Sequence, residues 1–323
     1  MHKSAIIFGG SGGIGRVVAD SFVSAGYGVT IAARSLGPVD RTVQELRCVT
    51  FVAVEQDENS VQELRRVIPT SIEQDGAGHA SGGAVLSNTH AQARAQRSMK
   101  IRGQVADVTS FESVAGVIEE HVQCFGGFDV IVNAAALQGP IGPLWKNEPN
   151  KWCEAVAANL NGVFHVCQAG LSRMLKAQRG VIIIFSGGGA AYARPNFSAY
   201  GASKTGMLRL VESIHEELRI DCSEGIKIYA IAPGAVRTRM TEEVLACQEA
   251  AGERAYAEAV QTDAEGGTPP GKVSELCLYL AEQRPECLSG RLIHVNEPYK
   301  EYVIHFEGKD PGAAGMLRRQ PYK

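Results

Sequence analysis

The chain has 323 residues, of which 45% are hydrophobic, 21% charged and 7% aromatic, and its formal net charge is −3. This near-neutral charge excludes a generic basic nucleic-acid binder, and the length suffices for a large core. No apolar run is long enough for a membrane span, and the N-terminal run is too short for a signal peptide. The eight cysteines form no C-x-x-C pair, which predicts reduced thiols, no metal site and a cytoplasmic location.

Apolar runs alternate with amphipathic stretches from the N-terminus onward. The predicted strands cover residues 5–8, 29–33, 128–133, 181–186 and 227–232. The predicted helices cover residues 14–25, 113–125, 152–176, 203–219 and 273–281. This alternation predicts an α/β fold with a Rossmann-like, doubly wound parallel sheet and helices on both faces.

The segment that precedes residue 107 interrupts this alternation. Residues 51–54 and 100–105 compete for the place of the third strand, and residues 60–67 could form a short helix. Residues 69–98 consist mainly of Gly, Ser, Ala, Gln and His and cannot bury enough apolar surface to offset the entropy of ordering them. We therefore expect residues 69–98 to be a surface insertion.

A glycine-rich loop, Gly-Gly-Ser-Gly-Gly-Ile-Gly, joins the first predicted strand to the first predicted helix. Glycines permit a tight turn and let backbone N–H groups approach a pyrophosphate, while the helix N-terminus adds partial positive charge. In this position the loop predicts dinucleotide binding. The expected cofactor-binding residues of the loop are Gly9, Ser11, Gly12, Gly13, Ile14 and Gly15.

The residue after the second predicted strand bears on which dinucleotide would bind. NAD-binding folds carry an acidic residue there that accepts from the ribose 2′-OH, whereas NADP-binding folds place a cation nearby. Here Arg34 follows residues 29–33, and no carboxylate is present to repel a phosphate. We therefore expect NADP(H) as the cofactor and Arg34 as one of its ligands, with NAD(H) as the alternative.

Tyr200 and Lys204 form a Y-x-x-x-K pair downstream of the strand that ends in Ser186. A helix would place residues four apart on one face. A lysine ammonium beside a phenol stabilises phenolate and lowers the pKa of the phenol. We therefore expect Tyr200 to act as a general acid or base on a carbonyl or alcohol oxygen.

Further motifs occur along the chain in a fixed order. After the glycine loop come Asp107-Val108, Asn133-Ala134-Ala135-Ala136, Asn159, Ser186, Tyr200 with Lys204, and Pro233-Gly234-Ala235-Val236-Arg237-Thr238. With these motifs in this order, the chain resembles the short-chain dehydrogenase/reductases over residues 4–295, apart from the insertion. The resemblance implies one domain over residues 1–296 and a tail over residues 297–323. It also favours residues 100–105 as the third strand.

The resemblance assigns cofactor contacts to residues that follow the strands. Asp107 would accept from the adenine amino group, with Val108 beside it, and Asn133 would lie near the cofactor ribose. The loop after the predicted strand at residues 227–232 would line the nicotinamide. The cofactor-binding residues implied in this way are Asp107, Val108, Asn133, Ala134, Tyr200, Lys204, Pro233, Gly234, Val236 and Thr238.

The same resemblance implies four catalytic residues, Asn159, Ser186, Tyr200 and Lys204. Asn159 would hold a water in a proton relay to Lys204, which would also hold the ribose hydroxyls, and Ser186 would orient the substrate oxygen. One departure concerns this serine, because the family has it thirteen residues before the tyrosine, where this chain has Gly187. Either Ser186 reaches the site through a one-residue extension or the serine function is missing; Ser198 is a third possibility.

Together these features predict an NADP(H)-dependent oxidoreductase that interconverts a carbonyl and a secondary alcohol. Its partners would be a small-molecule substrate and, by resemblance, further copies of the chain in a homodimer or homotetramer, with no nucleic acid and no membrane. Two alternatives remain open, a catalytically weakened NADP-binding regulatory or scaffold protein and a nucleotide-sugar epimerase or dehydratase. The segment after Thr238 would be the substrate lid, and it carries no recognisable specificity signature.

Overall fold

The computed structural model of the protein describes residues 3–55 and 101–317. The expected insertion at residues 69–98 and the short helix expected at residues 60–67 lie outside the described residues. No helix within the described ranges is both long enough and apolar enough to cross a membrane.

Seven parallel strands form one sheet in the order β3-β2-β1-β4-β5-β6-β7. Their bounds are β1 Ser4–Phe8, β2 Gly28–Ala33, β3 Ile101–Val105, β4 Val130–Asn133, β5 Gly180–Phe185, β6 Ile226–Ala232 and β7 Leu292–His294. The order reverses next to β1, which is the topological switch of a doubly wound sheet. The predicted fold class is therefore confirmed.

Helices surround this sheet. In chain order they are α1 Gly13–Ser24, α2 Leu36–Glu55, α3 Phe111–Phe125, α4 Pro149–Val156, α5 Gly162–Ala177, α6 Ser198–Ile220, α7 Arg239–Ala246, α8 Gln248–Ala251, α9 Glu253–Glu265, α10 Pro270–Gln283 and α11 Tyr299–His305. A π-helical turn, Ala157–Asn161, joins α4 to α5.

Both faces of the sheet are buried, because alternate residues of each strand enter different apolar clusters. In β1, Ala5 and Ile7 pack on the face covered by α1 and α10, whereas Ile6 and Phe8 pack on the face covered by α3, α5 and α6. All five residues of β1 and all six of β5 are buried. Such near-continuous apolar runs are typical of parallel strands covered on both sides.

The strand register brings three loops to one edge of the sheet. Phe8 of β1 pairs with Asn133 of β4, which in turn pairs with Ile184 of β5. Because parallel strands run in the same direction, the chain leaves all three at the same edge. The loops at residues 9–12, 134–143 and 186–197 therefore lie side by side.

The structure differs from the sequence-based expectations in several elements. Residues 51–54 belong to helix α2, so the third strand is Ile101–Val105, as the resemblance favoured. The single helix predicted over residues 152–176 is interrupted by the π-helical turn. Strand β7 and helices α2, α7 to α9 and α11 were not predicted. Strand β7 is only three residues long, and α7 to α9 are rich in Ala and Glu without a long apolar stripe.

Candidate functional site

A groove of about 410 Å³ runs along the carboxyl ends of the central strands. We call it the strand-end groove. It brings together fifteen of the residues predicted from the sequence: Gly9, Ser11, Gly12, Gly13, Ile14, Gly15, Arg34, Asp107, Val108, Ala134, Ser186, Tyr200, Lys204, Pro233 and Thr238. Asn133 and Asn159 are buried behind its wall, and Gly234 and Val236 line the cavity next to it.

The glycine loop is packed too tightly to hold side chains at two of its positions. A Cβ on Gly9, which has φ of 76°, would lie 2.5 Å from the Ala135 nitrogen. A Cβ on Gly15 would lie 2.3 Å from the Gly9 oxygen. These close approaches place the start of α1 directly against the ends of β1 and β4.

The N-terminus of α1 faces the groove without a side-chain cap. Its N-cap residue is Gly12, a Cβ on Gly12 would meet nothing within 4 Å, and the first turn contains no acidic residue. The first backbone N–H groups of a helix have no intrahelical partner and attract anions. The loop therefore has the free backbone N–H groups and the partial positive charge that could hold the phosphates of a dinucleotide.

Arg34 and Asp107 lie at the end of the groove formed by β2 and β3. Arg34 is exposed, and its guanidinium makes no ion pair with the described residues. Asp107 accepts hydrogen bonds from the Thr109 backbone nitrogen at 2.9 Å and from the Thr109 hydroxyl at 2.8 Å. The backbone N–H of Thr109, assisted by its hydroxyl and by the charge of Arg34, lowers the pKa of Asp107.

Two buried polar side-chain atoms near the groove have no hydrogen-bond partner. They are Asn133 Nδ2, at the end of β4, and Ser186 Oγ, just after β5. Asn133 Oδ1, by contrast, accepts from the Ala135 nitrogen at 3.1 Å. Buried polar groups are nearly always paired, so partnerless donors at a groove indicate a place where a ligand or water completes the hydrogen bonds.

Tyr200 and Lys204 both lie in helix α6 and are almost completely buried. The Lys204 nitrogen is 5.6 Å from the centre of the Tyr200 ring and donates to the Phe185 carbonyl oxygen at 2.6 Å. Burial lowers the pKa of Lys204 to about 8 and raises the pKa of Tyr200 to about 12. In this arrangement, desolvation outweighs the lowering of the phenol pKa that the sequence led us to expect from Lys204, whose ammonium is directed at a backbone carbonyl.

The π-helical turn positions Asn159. Its Oδ1 accepts from the Leu137 nitrogen at 2.8 Å, and its Nδ2 donates to the Leu137 oxygen at 2.8 Å and to the Ser203 hydroxyl at 3.2 Å. Ser203 donates in turn to the Tyr200 carbonyl at 3.0 Å. The Asn159 side chain thus connects the loop after β4 to the first turn of α6 that carries Tyr200.

The serine position is occupied by a glycine that has no room for a side chain. A Cβ on Gly187 would lie 2.2 Å from the Tyr200 hydroxyl oxygen. The neighbouring Ser186 faces the strand-end groove, where Lys204 also lies, but it makes no hydrogen bond to Tyr200. Ser198 accepts from Trp152 Nε1 at 3.1 Å and from Asn147 Nδ2 at 3.4 Å. Its hydroxyl therefore joins the start of α6 to α4 and to the loop that precedes α4.

A second cavity, of about 600 Å³, adjoins the groove at Tyr200. We call it the adjoining cavity. Its walls come from the loop after β5, from the loop after β6, from helices α7 and α9, and from β7 with parts of the C-terminal segment that follows it. At Gly234, with φ of 73°, a Cβ would lie 2.3 Å from the Thr268 hydroxyl oxygen, so this glycine lets the segment after α9 close on the loop.

Some residues around the two spaces were not predicted. Arg239, Met240 and Glu243 of α7 line the groove, and Tyr192 and Arg194 line the adjoining cavity. The position of α7 directly after Thr238 was a signal for the first group. No signal marked the second group, because the loop over residues 186–197 has no periodicity. Within the described ranges, no three His, Cys, Asp or Glu residues are grouped to hold a metal ion.

Comparisons with known proteins agree with this geometry. The sequence profile of the family described as short chain dehydrogenase matches residues 3–77 and 77–249. The 3-oxoacyl-(acyl-carrier-protein) reductase FabG of Staphylococcus aureus is 26% identical over 297 residues, covering 92% of this chain and 97% of the relative. The 2-(R)-hydroxypropyl-CoM dehydrogenase of Xanthobacter autotrophicus is 31% identical over 159 residues, covering 48% of this chain and 61% of the relative.

Solved structures share the fold. An actinorhodin polyketide ketoreductase variant with NADPH has a TM-score of 0.68 at 21% identity, covering 91% of this chain and 95% of the other. An NAD+-bound xylitol dehydrogenase has a TM-score of 0.69 at 18% identity, covering 90% of this chain and 96% of the other.

Proposed function

Because the chain belongs to the short-chain dehydrogenase family and is an oxidoreductase acting on carbonyl or CH–OH groups, we propose that it is an NADP(H)-dependent enzyme. It interconverts a carbonyl compound and a secondary alcohol, with Tyr200 as the general acid or base. The observation that carries this proposal is the strand-end groove, which is lined by the glycine loop, Tyr200 and Lys204 and adjoins a second cavity at Tyr200.

The groove residues fit a dinucleotide in parts that match its chemistry. The uncapped start of α1 at Gly12 would hold the pyrophosphate, and Asp107 would hold the adenine end. Lys204 would exchange its bond with the Phe185 carbonyl for the ribose hydroxyls near Tyr200. The loop from Pro233 to Thr238 would close over the nicotinamide end. When bound, the dinucleotide supplies or accepts the hydride.

Tyr200 would move the proton. Burial raises its pKa to about 12, so in the free protein the phenol is protonated at neutral pH. A protonated phenol is the acid that carbonyl reduction requires. In the opposite direction, the charge of Lys204 beside Tyr200 would stabilise the phenolate that accepts the alcohol proton. Asn159 fixes the first turn of α6 through Ser203 and so holds Tyr200 in place.

Ser186 is the group we assign to the substrate oxygen or to a cofactor hydroxyl beside it. Its hydroxyl is buried, has no partner and lines the groove together with Lys204. A ligand oxygen that accepted its hydrogen bond would satisfy it. Asn133 would contribute to the site through its backbone contact, because its Oδ1 accepts from the Ala135 nitrogen and so fixes the turn after β4. Its Nδ2 has no partner and could donate to a ligand or a water.

The direct test of this function is cofactor turnover over a panel of carbonyl compounds, including oxoacyl thioesters, quinones, steroids and sugars. The purified full-length protein should oxidise NADPH with at least one class, and the rate should scale with protein concentration. The absence of turnover over the whole panel, together with tight NADPH binding, would contradict the enzymatic proposal.

The preference for NADP(H) rests on Arg34. Its guanidinium is exposed, lines the groove and pairs with no described carboxylate, so it is free to pair with a 2′-phosphate. Replacing Arg34 with Ala should raise the KM for NADPH about 10- to 100-fold, as expected for a lost charged hydrogen bond, and leave the KM for NADH nearly unchanged. An equal change for both cofactors would contradict this assignment.

A second candidate is favoured by the glycine at the serine position. Since Gly187 presses against the Tyr200 hydroxyl and Ser186 makes no bond to it, the site lacks a hydroxyl paired with the tyrosine. A cofactor-binding regulatory or scaffold protein with weakened catalysis would have this property. It would bind NADPH with no oxidation over the carbonyl panel, so the same assay separates the two candidates.

We also propose that the protein works in the cytoplasm as a homodimer or homotetramer. The thiols of the described cysteines are all free, as a reducing compartment requires. Size-exclusion chromatography with light scattering would give the number of subunits.

A further inference from the structure

The adjoining cavity contains a fixed positive charge next to the reacting tyrosine. Arg194 lies in the loop between β5 and α6, is partly buried and lines the cavity. The carbon of its guanidinium is 4.3 Å from the centre of the Phe197 ring, and Phe197 is completely buried. Stacking on a buried ring restricts the arginine side chain, so its charge is held in a defined place.

This charge has no carboxylate partner within the described residues. The two acidic residues that line the same cavity are engaged elsewhere. Glu258 accepts from Arg254 Nε at 3.0 Å, and Glu297 accepts from the His294 backbone nitrogen at 3.1 Å. A guanidinium partly withdrawn from water has a desolvation cost that a bound anion would offset, which makes Arg194 a candidate binding group.

The distance between Arg194 and the reacting hydroxyl follows from two adjacent glycines. A Cβ on Gly187 would lie 2.2 Å from the Tyr200 hydroxyl oxygen, and a Cβ on Gly188 would lie 3.5 Å from Arg194 Nη1. Because consecutive Cα atoms are about 3.8 Å apart, the phenol oxygen and the guanidinium lie within on the order of 10 Å of each other. The charge of Arg194 also acts on Tyr200, opposing the rise in its pKa that burial causes.

A second donor points to the same place. The Tyr192 hydroxyl oxygen would lie 3.1 Å from a Cβ on Gly188, close to Arg194 Nη1. A guanidinium and a phenol can donate to the same oxyanion. Two such donors bind an oxyanion more strongly than either donor alone. Tyr192 is more than half exposed, so it stands at the mouth of the cavity.

We propose that the substrate of this site carries an oxyanion, a carboxylate or a phosphate, a few bonds from the reacting carbonyl, and that Arg194 binds it with Tyr192 as a second donor. The proposal rests on the proposed function only because it takes Tyr200 as the residue beside which the substrate carbonyl reacts. It adds a substrate class, a short oxo acid or oxo phosphate, and it makes Arg194 a specificity-determining residue. A neutral ester of the same carbon skeleton would leave the guanidinium unpaired and would react more slowly.

The test compares matched substrates and matched variants. Oxo acids of four to eight carbons, their methyl esters and the corresponding oxo phosphates would be assayed with NADPH. In the wild type, kcat/KM for the acid or the phosphate should exceed that of the neutral ester by about 10- to 100-fold. Replacing Arg194 with Met, which keeps the packing on Phe197, should remove that difference mainly by raising KM for the acid, while kcat/KM for the ester changes far less. Arg194→Lys should retain part of it.

Two controls keep the result specific. Arg219→Met removes an equal charge from an exposed position at the far end of α6 and should change neither substrate. NADPH affinity should be equal in the wild type and Arg194→Met, because Arg194 does not line the strand-end groove. Equal kcat/KM for acid and ester in the wild type, or an equal loss for both in Arg194→Met, would overturn the proposal.

Failure of the proposed function is distinguishable from failure of this inference. If no compound is turned over, the same acids would be titrated against the NADPH-bound protein and followed by NADPH fluorescence. Binding of acids but not esters, lost in Arg194→Met, would support the anion site while the enzymatic proposal fails. Equal binding by wild type and variant would overturn the anion site.

Discussion

At the scale of single residues, the chemistry of the site depends on which side chains lack partners. Tyr200 and Lys204 could be predicted because their spacing of four is a property of the helix itself. In contrast, the lack of a hydrogen-bond partner for the Ser186 hydroxyl depends on where β5 and β6 end, and no sequence pattern predicts this. The same holds for Arg194, whose significance comes from the absence of a carboxylate next to it in the described structure.

Replacing Ser186 with Ala should lower turnover without destabilising the fold. The change removes a buried hydroxyl that has no partner, so the free energy of unfolding should stay equal or rise by about 1 kcal/mol. The loss of a donor to the reacting oxygen should lower kcat by about 10- to 100-fold, as expected for one hydrogen bond to a charged group. Denaturant unfolding and steady-state kinetics would measure the two quantities.

A matched control for this substitution is Ser223→Ala. Ser223 is equally buried, but its hydroxyl donates to Asp221 at 2.7 Å, far from the groove. Its loss should destabilise the protein and leave turnover unchanged. If Ser186→Ala leaves turnover unchanged, the hydroxyl only ends strand β5 and has no part in the reaction.

At the scale of elements, most strands of the sheet and the helices α1, α3, α5, α6 and α10 followed from apolar periodicity, but the joints between elements did not. The π-helical turn at Ala157–Asn161 is absent from any amphipathic pattern, yet it directs Asn159 to Leu137. Strand β7 was missed because three residues give no period. The buried His121 of α3 forms another contact between elements, because its ring nitrogens hydrogen-bond to Thr30 of β2 at 2.7 Å and to Ser4 of β1 at 3.1 Å.

His121 should make the stability of the protein depend on pH. Burial lowers its pKa from 6.5 to about 3, so the folded protein keeps the imidazole neutral while the unfolded chain takes up a proton below 6.5. The stability from this residue is therefore present above pH 6.5 and is lost as the pH falls toward 3. The loss should approach about 1.4 kcal/mol per pH unit.

Unfolding in denaturant between pH 7.5 and pH 5 would measure this dependence. His121→Gln, which keeps hydrogen-bonding atoms, should lose less stability on acidification than the wild type, although its stability at pH 7.5 is lower. The exposed His305→Gln should follow the wild-type slope. Identical slopes for the wild type and His121→Gln would contradict a neutral buried imidazole.

At the scale of the whole molecule, the C-terminal segment covers the edge of the sheet. The Leu292 nitrogen of β7 donates to the Gly315 oxygen at 2.8 Å, and the Leu317 nitrogen donates to Glu212 at 2.6 Å. Arg209 donates to the Leu317 oxygen at 2.8 Å and also pairs with Glu212, which is buried. The segment that the sequence suggested to be a tail therefore supplies hydrogen-bond partners to the edge strand β7 and to the buried Glu212 carboxylate. The composition of the segment did not indicate this role.

A chain that ends at Asp310 should be less stable and more prone to self-association. It would leave the β7 edge open and remove the backbone donor to Glu212, at a cost of about 2–4 kcal/mol in the free energy of unfolding. Thermal unfolding and light scattering would show both effects. A control chain that ends at Leu317 should behave as the full-length protein, and equal stability of the two truncated chains would contradict the role of the segment.

The central claim is that Tyr200 transfers the proton in an NADP(H)-dependent carbonyl–alcohol reaction, and Tyr200→Phe tests it most directly. The phenyl ring keeps the packing beside Lys204 and Gly187 but removes the hydroxyl. With a substrate turned over by the wild type, Tyr200→Phe should lose at least about 100-fold in kcat while binding NADPH with unchanged affinity. Turnover equal to that of the wild type, with the same NADPH affinity, would contradict the claim.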